Sequence, residues 1–120
     1  DVNLTDGRYT YCRQPLPGST VHLHTASPGE IGGCAGEALK GAETGAFLPD
    51  APGVPVYRFA RESKRHADAP EFNPIYDLRS DPAQERPIRD AELEERLSGL
   101  LSEKLLACGA PPCQYERLGL

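Results

Sequence analysis

The sequence predicts an α+β fold, a small and mostly antiparallel β-sheet of four or five short strands packed against one long C-terminal α-helix. Three observations predict it. Short stretches of alternating apolar and polar residues, bounded by Gly, Pro, Asn or Asp, recur from the first residues to Leu78. Leucines spaced three and four residues apart occupy the stretch after Asp90. An Asp-Gly pair between two alternating flanks opens the chain as a hairpin, a connection that makes its strands antiparallel.

Val2-Asn3-Leu4-Thr5 and Arg8-Tyr9-Thr10-Tyr11-Cys12 flank Asp6-Gly7, which suits the positive φ angles of a two-residue type I′ turn. Asn3-Leu4-Thr5 fits a glycosylation sequon, a match that carries little inside a strand. Gln14 to Ser19, with Pro15, Pro17 and Gly18, is a loop. Thr20 to Thr25 alternates again, with Val21 and Leu23 on one face and His22 and His24 on the other. Residues 25–50 read as an irregular excursion holding at most one short helical turn around Ala35 to Lys40, which Gly36 and Gly41 weaken. Val56 to Ala60 is the next strand, with Tyr57 and Phe59 on one side and Val56 and Arg58 on the other. A polar loop from Glu62 to Asn73 leads to a brief strand at Ile75-Tyr76-Asp77-Leu78, closed by Ser80-Asp81-Pro82.

The long helix spans 90–108. Asp90 is its N-cap, and Leu93, Leu97, Leu100, Leu101, Leu105 and Cys108 line one side. Glu92 and Arg96 stand one turn apart and are expected to pair. Lys104 falls within the stripe, so its stem should lie along apolar surface while its ammonium reaches water. Gly109 is a natural left-handed stop, and Pro111-Pro112 prevent continuation. All of residues 1–120 are expected to form one domain.

Composition bounds what this domain can do. Hydrophobic residues make up 38% of the chain, Trp and Met are absent, and Gly and Pro number 12 each, so the core must be thin. A net charge of -5 with no Lys/Arg-dense stripe excludes nucleic acid as a partner. The densest basic spot (Arg58, Arg61, Lys64 and Arg65) is broken by Glu62, followed by Asp68, and reads as solvated surface. No stretch approaches the ~20 apolar residues of a membrane span. The chain begins at Asp1 directly in a strand-like pattern with no signal peptide, so it is expected to be a piece of a longer polypeptide. Lack of a leader favours the cytoplasm for the chain as it stands, although its cysteines suit either side of a membrane.

Cys12, Cys34, Cys108 and Cys113 allow two disulfides in three connectivities, with Cys108 and Cys113 spaced to close a small loop. Their density is far below that of a disulfide-stapled scaffold, and free thiols are expected. His22 and His24, pointing the same way, suit two imidazole ligands, with Cys12 or Cys34 to complete a zinc set. No C-x-x-C accompanies them, and they read as residues of a solvent face or cleft rim. His66 has no supporting pattern. Asp77 and Asp81 flank a turn and should cap backbone N–H groups rather than move protons. Gly32, Gly33, Gly36 and Gly41 do not link a strand to a helix, so no phosphate loop is read there.

The run Ile75-Tyr76-Asp77-Leu78-Arg79-Ser80-Asp81-Pro82, then Glu85, then the leucine helix, resembles the end of a type I (formylglycine-dependent) sulfatase. In that family a Tyr-Asp-Leu strand and an Asp-Pro turn lead into a final amphipathic helix. The tail from Ala110 to Leu120 is similar to the closing residues of one bacterial branch, and Val2 to Tyr11 resembles the hairpin that opens the C-terminal subdomain. The resemblance implies a non-catalytic C-terminal subdomain that braces a large N-terminal catalytic domain, in the same or a companion chain, and lines its substrate cleft. The family's nucleophile arises from the Cys or Ser of a C/S-x-P/A-x-R signature, which no cysteine here begins. The family's calcium-binding acid cluster is absent too, so the resemblance implies calcium and formylglycine only on the catalytic domain. No catalytic residue carries over; Arg13, His22 and His24 are the candidates for substrate contact. Two other classes fit the same residues, a free-standing protein-interaction module and a small zinc or redox protein.

Overall fold

The computed structural model describes residues 1–27, 38–63 and 70–120. They divide into two compact units, Asp1–Ser19 with Ser63–Leu120, and Thr20–Glu62. The α+β class and the antiparallel pairing are as expected. The counts differ. The described residues form six strands in two three-stranded sheets, where one sheet of four or five strands was expected, and a second helix follows the long one.

The first unit opens with the hairpin of β1 (Val2–Thr5) and β2 (Tyr9–Arg13), paired from Val2 opposite Arg13 to Thr5 opposite Thr10. The turn centres one residue later than Asp6-Gly7. The Asp6 N–H donates to the Tyr9 carbonyl at 3.3 Å, leaving Gly7 and Arg8 in the middle. Of those two only Gly7 has positive φ, at 91°, the requirement of a II′ rather than a I′ turn. Asp6 moves the centre because its Oδ1 accepts the N–H groups of Arg8 and Tyr9, at 3.0 and 2.8 Å.

β6 (Ile75–Asp77) pairs with the other side of β2, giving the order β1-β2-β6. The turn after it is built by two carboxylates, as expected. Asp77 Oδ1 accepts the Arg79 N–H at 3.0 Å, and its Oδ2 takes the Arg8 guanidinium. Asp81, only 6% exposed, accepts the N–H groups of Glu85 and Arg86. The chain then returns to β6, where the Ile88 N–H donates to the Ile75 carbonyl at 2.7 Å.

α1 (Ala91–Ala107, 17 residues) begins as its sequence requires: Asp90 is extended and its side chain accepts the Leu93 N–H. Leu97 and Leu101 are buried against Tyr11 and Ile75, with Leu93 and Leu105 half-buried beside them. Each fully buried side chain of this size contributes about 1.5–3 kcal/mol. The buried line runs in steps of four, so two members of the expected stripe fall away from it: Leu100 is half-buried on the outer side and Cys108 is exposed. Lys104 is exposed, in keeping with a solvated ammonium. Arg96 meets Asp6 Oδ2 at 2.8 Å rather than Glu92, because the hairpin turn offers it a carboxylate already held in place.

Gly109 stops α1, with the Ala110 N–H on the Leu105 carbonyl and its own N–H on that of Leu106. The two prolines that prevent continuation also start a new helix. Pro112 occupies the first turn of α2 (Pro112–Leu118), where its missing N–H costs nothing. α2 ends in the same way on Gly119 at φ 63°, burying Leu118 and folding Leu120 back onto the core.

The second unit is the sheet β3-β5-β4, from β3 (Thr20–Thr25), β4 (Glu43–Gly45) and β5 (Val56–Glu62). A 3₁₀ turn at Ala38–Gly41 precedes β4. β4 adds a strand to a stretch read from the sequence as an irregular excursion with at most one short helical turn. Its Glu-Thr-Gly has no strand pattern, and only the edge of β5 makes it one. The rest of the expected helical turn, the glycines at 32, 33 and 36, Cys34, Lys64, Arg65, His66 and Asp68 lie outside the described residues. No helix among the described residues is long and apolar enough to cross a membrane.

Candidate functional site

Arg13 ends β2 on the face that carries Tyr11, and three of its nitrogens are committed. Nε donates to the Leu118 carbonyl at 2.7 Å, Nη2 to the Gly119 carbonyl at 2.6 Å and Nη1 to the Tyr11 hydroxyl at 3.0 Å. The guanidinium thus sits at the C-terminus of α2, where the last carbonyls lack intrahelical partners and the helix dipole favours a cation.

A polar network continues inward. The Tyr11 hydroxyl donates to Glu94 Oε1 at 3.4 Å, and Asn73 Nδ2 donates to the same oxygen at 2.8 Å. Asn73 Oδ1 accepts the Gln14 N–H, and the buried Gln14 amide donates to the carbonyls of Pro70 and Phe72. Burial pushes the Tyr11 phenol above its ordinary value, against the opposing pull of Arg13, so the hydroxyl keeps its proton and acts as a donor. These side chains tie strand, loop, helix and chain end together, while the buried Gln14 Oε1 accepts no hydrogen bond among the described residues. This arrangement holds positions within the first unit.

The histidines stand in the other unit, on the face the alternation predicts. His22 and His24 are exposed, while Val21 and Leu23 are half-buried. The register sets His24 opposite Arg58 and Arg58 opposite Glu43, so a row of His, Arg and Glu crosses three strands. Arg58 forms an ion pair with Glu43 and lies over the Phe47 ring, 4.0 Å from its centroid. Phe47 also meets the His24 ring, with centroids 5.9 Å apart. Gly45 makes this possible, since a Cβ there would stand 2.9 Å from Phe47 Cζ. Beside the row, the small residues Gly41 and Ala60 leave a cleft of about 80 Å³ walled by His22, Glu43 and Arg58. It has room for a group a few atoms across, with donors on Arg58 and an acceptor on Glu43.

Arg58 is therefore not the solvated charge that its basic neighbourhood suggests. Its place in the alternation beside Val56 was a usable signal; its pairing with Glu43 and Phe47 was not. Asn73 and Glu94 gave no signal either, since each is an ordinary polar residue until the fold brings it to Tyr11.

Cys12, Cys108 and Cys113 are free thiols. Burial pushes the Cys12 thiol up, which disfavours the reactive thiolate. Among the described residues no three His, Cys, Asp or Glu side chains gather to hold a metal ion. No family model matches the chain, and neither a curated protein nor a solved structure matches it.

Proposed function

We propose that the chain is the C-terminal, non-catalytic subdomain of a sulfatase-like sulfuric ester hydrolase. It braces a catalytic domain carried in the same or a companion chain and lines one side of that domain's substrate cleft. One observation supports this reading above the others: the residues that carry the resemblance are those that build the junction of sheet and helix. Tyr76 and Asp77 lie in β6, Asp81 organises the turn, and α1 lies against the sheet these enter. A small antiparallel sheet braced by one long helix is the finer arrangement proposed for this part of the chain. Of the three candidate contacts, His22 and His24 are the exposed ones and would face substrate together with Arg58; Arg13 braces. Calcium and formylglycine belong, on this reading, to the catalytic domain.

The second reading is a free-standing protein-interaction module of the same fold.

The nucleotide sequence upstream of the Asp1 codon separates the two. A C/S-x-P/A-x-R signature in that reading frame, or in an adjacent gene, is the expected result; its absence from both overturns the hydrolase reading. The purified chain should leave an aryl sulfate ester unhydrolysed, and turnover would place the nucleophile on this chain after all.

A further inference from the structure

We draw no further inference here: the strongest candidate, the small cleft walled by His22, Glu43 and Arg58 on the β3-β5-β4 sheet, belongs to the site already described, and nothing among the described residues shows what ligand it would hold.

Discussion

Replacing Arg13 by alanine tests whether this residue holds the chain together or waits for a substrate. The wild-type side chain is 15% exposed and donates through three nitrogens, to Leu118 O, Gly119 O and the Tyr11 hydroxyl. A hydrogen bond involving a charged group contributes about 1.5–3 kcal/mol. Gly119 is exposed, so water replaces most of that bond in the variant. The Leu118 carbonyl and the Tyr11 hydroxyl are partly buried, and their two bonds together amount to about 3–6 kcal/mol. Loss of the cation at the α2 C-terminus adds about 0.3–1 kcal/mol. Against a typical domain stability of about 5–15 kcal/mol, Arg13→Ala should remove about a fifth or more. Urea unfolding followed by far-UV circular dichroism measures the loss, and amide exchange at Leu118 to Leu120 should accelerate first. Arg13→Lys should recover less than half, because one ammonium cannot span three acceptors. If Arg13→Ala unfolds within ~0.5 kcal/mol of wild type, with exchange at the chain end unchanged, the bracing role is refuted. Arg13 would then be free to meet substrate.

Acid should weaken the first unit in a defined window. The Tyr9 N–H, then Arg96, hold the Asp6 carboxyl at about 2, below its ordinary 3.8. The Arg8 guanidinium lowers Asp77, and the Arg86 N–H lowers Asp81. A depressed folded value stabilises above the unfolded one, so stability should be level above about pH 4 and fall towards pH 2; a pH series of thermal midpoints checks this. A rise over that interval would contradict it. Leu97→Ala, at a fully buried site, should cost about 2–5 kcal/mol, whereas Leu106→Ala should change little; a cost below ~1 kcal/mol for Leu97 would mean that α1 does not anchor the core. Gly45→Ala should push Phe47 off Arg58 and His24 at a cost of about 1 kcal/mol. Its readout is the ring-current shift of the His24 protons, and an unchanged shift would show that the ring tolerates a Cβ.

What was legible in the chain was local. Asp90 caps α1 because its own side chain reaches an N–H three residues on, and Gly109 ends it because a left-handed residue is needed there. Asp81 shapes its turn through bonds to Glu85 and Arg86, four and five residues away. The face of His22 and His24 follows from a period of two, which needs no partner strand to establish. In the same way Pro112 could have announced α2, since proline in a first helical turn is as much a start as a stop.

The tertiary structure alone decided the rest, because the interactions concerned join residues that sequence distance conceals. β4 becomes a strand only through pairing with β5, and Arg58 acquires its ion pair and its ring through that same register. Arg96 stood beside a plausible partner in Glu92, yet Asp6, 90 residues away, took it. Arg13 and Leu118 are 105 residues apart, and nothing in either marks the other as its partner. Periodicity and capping are written within a few residues and survive without the fold. Ion pairs, edge pairing and buried networks exist only once hydrophobic burial has brought distant segments together.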